Sequence, residues 1–208
     1  MIERLALDLV LERRQGSHTG ALMNSSEDLI ARARAGDHEA FRLIFERHAR
    51  PVLGFLYSLV DQRDLAEELT QETFVRAYRK LKELRDDSKV STWLFGISRN
   101  VAREALRARK RDNNSLTNDR NSSQDREDLS SVSPSDRLLG KELNIAMRTA
   151  LALLDEDKRL VFTLKIFQQR SYQEIGEITG YSVAKVKTDL HRARVEMRRR
   201  IRPYLETK

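Results

Sequence analysis

Residues 171 to 190, SYQEIGEITGYSVAKVKTDL, confine two helices and the turn between them to a short stretch of chain. Ser171 is followed three positions on by Glu174, the spacing of a capping box. The hydroxyl accepts a free amide of the first turn and the carboxylate reaches back to the cap amide. Gly180 can take the positive φ that ends this first helix, and Ser182 can cap a second almost at once. Two helices joined by so short a glycine-containing turn form a helix-turn-helix unit.

The second helix indicates what such a unit touches. Val183, Val186, Leu190, Ala193, Met197 and Ile201 recur at spacings of three and four, which predicts a buried stripe. Lys185, Lys187, Thr188, His191, Arg192 and Arg194 occupy the other faces, and Ser182 and Val183 open the helix. Arginine and lysine neutralise phosphates or donate to guanine edges, and an exposed N-terminal turn fits the major groove. A solvated basic helix inside a bundle is the bland alternative. Both caps, the glycine turn and the basic face together favour duplex DNA.

Composition narrows the partners. The 208-residue chain carries a net charge of +7, which favours a polyanion without saying which one. Cysteine is absent, excluding disulfides, thiol catalysis and cysteine-based zinc sites. No metal or cofactor is expected. No apolar run approaches the ~20 residues of a membrane span, so the expectation is a soluble cytoplasmic protein with no membrane insertion. Glu3, Arg4 and Asp8 interrupt the apolar start, so residues 1–24 read as a flexible extension rather than a signal peptide. Met23 is an alternative start.

Only 3 prolines and 8 glycines occur and strand-like alternation is nearly missing, which predicts an all-α chain of two small helical bundles. In the first, residues 25–111, Ser25 and Asp37 are expected caps with Gly36 ending the helix between them. Pro51 marks a kink or new start, and Asp64 and Thr92 cap two later helices. Residues 112–137 lack apolar period and hold six acids against three arginines, an acidic flexible linker. The second bundle spans 138–208. Its stripe begins at Leu139, Leu143, Ala146, Ala150 and Leu153, and Asp155 caps the helix that follows.

Two segments of the first bundle carry more than core. In Asp64 to Leu81, the apolar residues Leu65, Leu69, Phe74, Val75, Ala77, Tyr78 and Leu81 are too widely spread for one stripe. Glu67, Glu68 and Glu72 rim them. The segment reads either as an acid-fringed apolar patch for a basic partner or as a helix buried on two sides. In Lys89 to Arg111, Arg99, Arg103 and Arg107 repeat every four residues, and Trp93 opens the helix beside Ser91 and Thr92. Such a head can receive an unstacked base while the arginines track a single strand. Trp93 is expected to be partly core, with the base pocket formed by the preceding loop and Asn100.

DLAEELTQETFVRAYRKL, then STWLFGISRNVAREALRARKR, then a spacer, then SYQEIGEITGYSVAKVKTDLHRARVEMRRR closely resembles the extracytoplasmic-function (ECF) sigma factors of the sigma-70 family. The resemblance covers about residues 25 to 204. It implies a non-catalytic initiation subunit that binds core RNA polymerase, at its clamp coiled coil and flap, reads the −10 and −35 elements and opens the duplex. By motif, Glu68, Leu69, Gln71, Glu72, Phe74 and Val75 match the clamp-docking segment. Ser91, Thr92, Trp93, Arg99, Asn100, Arg103 and Arg107 match the −10 element, and Ser182 to Arg194 the −35 helix. Val90 stands where many relatives carry an aromatic. The resemblance also implies an anti-sigma partner, and gives the acidic linker a path through the polymerase channel.

Two rivals come from other classes. A conventional helix-turn-helix regulator would need a sensor domain in place of the Trp-headed arginine helix. A nuclease or recombinase would need converging acids or histidines. His18, His38, His48 and His191 are scattered without metal-ligand spacing, and Glu67 and Glu68 are adjacent and diverge on a helix. His48 lies on a stripe and is expected to pack in the core.

Overall fold

The computed structural model describes residues 25–113 and 145–205. The extension over 1–24, all but the first two residues of the expected linker, and the stripe positions Leu139 and Leu143 lie outside them. The first bundle comprises α1 (Ser26–Arg34), α2 (His38–Val60), α3 (Arg63–Lys80) and α4 (Val90–Asn113). The second comprises α5 (145–152), α6 (Glu156–Phe162) with a π turn over Thr163–Phe167, α7 (Tyr172–Thr179) and α8 (Val183–Leu205). Every one of these elements is helical, as the scarcity of proline and glycine predicts.

Local chemistry sets most boundaries. The Ser25 hydroxyl accepts the Asp28 amide at 3.1 Å to start α1. Gly36 turns the chain at φ 96°, and the Asp37 carboxylate accepts the Glu39 and Ala40 amides to start α2. Pro51 neither ends nor restarts α2, which runs through it to Val60. Asp64 is not a cap: Gln62 holds that position without a side-chain bond, and Asp64 sits in the first turn, where its charge faces the helix dipole favourably. Thr92 is not a cap either. A short turn over Asp87–Lys89, led by Asp86, delivers the chain into α4 at Val90. At its other end α4 continues into the first two residues assigned to the linker.

In the second bundle Leu153 departs from expectation. α5 ends at 152, and the tight turn after it, with the Leu154 amide donating to the Leu151 carbonyl at 3.1 Å, swings Leu154 inward. Leu151 and Leu154 are therefore buried and Leu153 is 56% exposed. Asp155 precedes α6 without a side-chain cap bond. The capping box of α7 is complete: Ser171 Oγ accepts the Glu174 amide at 3.1 Å and the Ser171 amide donates to Glu174 Oε2 at 2.7 Å. Gly180 takes φ 74°, and Ser182 Oγ accepts the Lys185 amide at 3.2 Å to start α8. A Cβ on Gly176 would lie 3.0 Å from the Tyr181 carbonyl, so this glycine lets α7 sit close against the turn.

The two bundles are packed on each other, and their buried residues form one continuous cluster. Phe95 of α4 meets Phe55 of α2 edge to face at 5.2 Å between ring centres, and the Arg170 guanidinium lies 4.9 Å from the Phe95 ring centre. Along α2, Ser58 donates to Thr163 at 3.2 Å and Arg159 to the Leu59 carbonyl at 3.2 Å. Arg148 donates to the Tyr57 hydroxyl. Among the described residues no helix is long and apolar enough to cross a membrane.

Candidate nucleic-acid interface

The outer face of α8 is open. Val186, Leu190, Ala193, Met197 and Ile201 are buried beneath it, whereas Ser182, Lys187, Thr188, His191, Arg192 and Arg194 face solvent. Val183, expected on the buried stripe, is 37% exposed and belongs to this surface. Lys185 is different. Its ammonium pairs with Asp157 at 2.8 Å and Asp189 at 2.5 Å, and those bonds push its pKa up. Asp157 also accepts the Tyr181 hydroxyl at 2.5 Å, and its carboxyl is held below the ordinary range by the Lys185 and Tyr181 hydrogen bonds. Lys185 thus ties α8 to α6 and offers little net charge to a phosphate. Asp189, one helical turn on, was the sequence signal for this pairing.

The head of α4 is covered. Ser91 Oγ accepts from the Arg170 guanidinium at 2.7 Å, and Thr92, 8% exposed, donates to Glu174 Oε1 at 3.2 Å. Lys89 pairs with Glu177 at 2.8 Å, and the Arg99 guanidinium lies 5.9 Å from the Tyr181 ring centre. Burial alone would raise the Glu174 pKa. Hydrogen bonds from Ser171 and Arg170 outweigh it and hold the carboxyl at about 2, so Glu174 is ionised throughout the neutral range. The Lys89–Glu177 pair is half exposed, so solvent screens it and its contribution to stability is small.

Between the head of α4 and the end of α7 lies a cleft of about 620 Å³. One wall is the loop before α4 and the head of α4, with Leu84, Arg85, Trp93, Ile97 and Asn100. The other is the end of α7, Glu177 to Gly180. Trp93 is half buried against the core, in line with its expected double placement. The loop and Asn100 do come together with Trp93, as the sequence reading requires for a base pocket.

Further along α4 the surface opens again. Asn100, Arg103 and Arg107 line a groove of about 550 Å³ with Arg76, Arg79 and Lys80 of α3. Arg76 is engaged by Glu72 at 2.6 Å and Glu104 at 2.8 Å, whereas Arg79, Arg103 and Arg107 are exposed. Arg79 and Lys80 were not among the residues singled out from sequence. Their position beside the arginine row of α4 depends on how α3 and α4 cross, which a one-helix reading does not provide.

The remaining candidates lie on α3. Leu69 and Phe74 are 6% and 3% exposed, so neither forms part of an exposed apolar patch. α3 packs between α2 and α4, which gives each of its two apolar strips a partner; Phe74 meets Phe45 edge to face at 4.7 Å. Of these candidates Glu68 faces outward, with Gln71, Glu72 and Val75 half buried at the rim. His48 is half buried, and desolvation together with the Arg47 and Arg170 charges pushes its pKa down to about 4.

A capped helix-turn-helix with an open basic face, beside a helical bundle with a Trp-headed arginine helix, is the arrangement of a two-part DNA-binding protein. Two family models match, "Sigma-70 region 2" over residues 44–112 and "Sigma-70, region 4" over 144–197. The RNA polymerase sigma-H factor of Pseudomonas aeruginosa is 30% identical over 86% of this chain and 95% of its own length. The ECF RNA polymerase sigma-E factor of Escherichia coli K12 is 31% identical over 85% and 94%. Among solved structures, the sigma factor RpoE in complex with the anti-sigma factor NepR from Bartonella quintana aligns with a TM-score of 0.65 at 23% identity, covering 79% of this chain and 98% of that one. CnrH in complex with the cytosolic domain of CnrY aligns at 0.62 and 23%, covering 84% and 95%, and both likenesses show the fold. The chain belongs to the sigma-70 family as an ECF sigma factor, a transcription-initiation subunit that directs RNA polymerase to promoters.

Proposed function

We propose that the two basic surfaces divide promoter recognition between them. The outer face of α8, with Ser182, Val183, Lys187, Thr188, His191, Arg192 and Arg194, reads the −35 duplex from the major groove. The cleft formed by Trp93, Asn100 and the loop before α4 takes a flipped base of the −10 non-template strand. Arg103 and Arg107, joined by Arg79 and Lys80, follow the phosphates of that strand. Glu68, Gln71, Glu72 and Val75 present the outer side of α3 to the polymerase clamp, while Leu69 and Phe74 support that side from within.

The observation that carries this division is the contrast in chemistry. α8 offers a continuous exposed row on a rigid helix, suited to a duplex, whereas the α4 cleft is aromatic-walled and sized for an unstacked base. In this reading the chain contributes no catalytic group, and its domains are 25–111 and 138–208. An anti-sigma factor controls it in the cytoplasm, a reading supported by the fold it shares with the sigma factor RpoE, which is seen in complex with the anti-sigma factor NepR.

Run-off transcription from genomic fragments, with bacterial core polymerase alone and with core plus this chain, tests the reading. New transcripts that require both components are expected, and aligning their starts yields the two promoter elements. Tight duplex binding by the chain alone, without new transcripts, overturns it in favour of a conventional regulator.

A further inference from the structure

The loop before α4 is anchored by a side chain from α1, at the far end of the first bundle's sequence. Arg34 is the last residue of α1, where a cation suits the helix dipole. Its Nε donates to the Leu81 carbonyl at 3.3 Å, its Nη2 to the Leu84 carbonyl, and its Nη1 to the Asp87 carboxylate at 2.9 Å. The ion pair with Asp87 closes to 2.7 Å, and both side chains are mostly buried. A guanidinium presents its donors in a fixed planar fork, so holding three groups at once fixes how they are spaced. Two of the anchored residues, Leu84 and Asp87, flank Arg85 and Asp86. Leu84, Arg85 and Asp86 all line the cleft, and Arg85 and Asp86 are exposed there, whereas Arg34 lies outside that lining. The backbone of this wall is therefore pinned on both sides from behind.

We propose that Arg34 is a positioning residue for base selection in the −10 cleft. By holding Leu84 and Asp87 it sets where Arg85 and Asp86 stand relative to Trp93 and Asn100, and so the shape offered to a flipped base. A site that selects by shape must be held to within about 0.5 Å, and a loop released at these points accepts more than one base. Arg34 acts through the loop and does not meet the DNA. This deepens the assignment of the cleft to the −10 strand and rests on it.

Arg34→Lys keeps a positive charge beside Asp87, but one ammonium cannot hold the two carbonyls and the carboxylate in the same arrangement. The full-length variant is compared with the parent in run-off transcription with core polymerase. The templates carry a responsive promoter in which each non-template base of the −10 element, and each base pair of the −35 element, is replaced in turn. At the −10 position where the parent discriminates most, Arg34→Lys should lower the preference at least fivefold and leave the −35 preferences unchanged. Arg42→Lys, at an arginine paired with Glu39 and Glu46 on α2, is the control and should match the parent at both elements. An unchanged −10 preference in Arg34→Lys overturns the proposal. So does an equal loss at both elements, which marks a general loss of structure. A parent chain that discriminates at no −10 position overturns the assignment of the cleft, and the proposal with it.

Should Arg34→Lys fail to fold, Asp87→Asn decides. It keeps the size of the loop side chain and removes the charge that Arg34 grips. The −10 preference should fall at least threefold with the −35 preferences intact, and a preference equal to the parent's overturns the proposal.

Discussion

α4 and α8 are two versions of one design with opposite availability. Both are long helices with a buried apolar stripe and a basic outer face, 24 and 23 residues in length. At the head of α8, Ser182 caps the helix and the next turn is open. At the head of α4, Ser91 and Thr92 are engaged by another part of the chain. The difference teaches that a basic amphipathic pattern states what a helix is able to bind but not whether the site is vacant. Vacancy is set by neighbours far along the chain.

The comparison can be broken hardest at α3, which supports α4 from behind. Leu69→Asp places an unpaired carboxylate in a buried site and should cost about 3–5 kcal/mol, unfolding the first bundle rather than removing one docking contact. Thermal denaturation checks it, and a folded variant that has merely lost polymerase affinity would contradict the burial of Leu69. Glu68→Lys is the better probe of docking, with stability expected within about 0.5 kcal/mol of the parent.

Acid should act first through His48, in the middle of α2. The His48 pKa falls from an ordinary 6.5 to about 4, so between those values the unfolded state binds more protons than the folded one. Stability is therefore full above pH 6.5 and declines as pH falls towards 4, by about 3 kcal/mol in all. Burial is the main cause, and the charges of Arg47 on the same helix and Arg170 from the second bundle add to it. His48→Gln should flatten stability against pH in this window. An unchanged profile would remove His48 as the cause. Glu174, at about 2, loses its stabilising charge only in stronger acid, below the ordinary glutamate range.

Smaller effects distinguish reading from tracking. Arg192→Ala should weaken −35 binding by about 1–3 kcal/mol and relax preference at one base pair if the guanidinium meets a base edge. A loss equal across sequences would reduce it to a phosphate contact. Arg107→Ala should weaken promoter binding uniformly and lower the salt-dependence slope by about 1, measured by titration at several ionic strengths. No change in slope would place the strand elsewhere.

Much of this was legible in the sequence where the determinants are local. The caps at Ser25, Asp37, Ser171 and Ser182 and the turn glycines Gly36 and Gly180 act over a few residues, and the structure has each of them doing so. Misplaced features have non-local causes. Asp64 and Thr92 look like caps, but the helices they would cap start two and three residues earlier, at Arg63 and Val90. Leu69 and Phe74 look surplus to one stripe because periodicity counts one partner helix, and α3 has two. Lys185 looks like a DNA contact until Asp157, from another helix, is brought to it. The covering of α4 was the least legible of all, since it depends on residues more than 75 positions apart.

Glu174 carries two duties on one carboxylate, closing the capping box of α7 and holding Thr92. A substitution there removes the contact to α4 and weakens the start of α7 together. A substitution at Glu177 or Lys89 breaks a contact between the bundles and leaves that capping box intact.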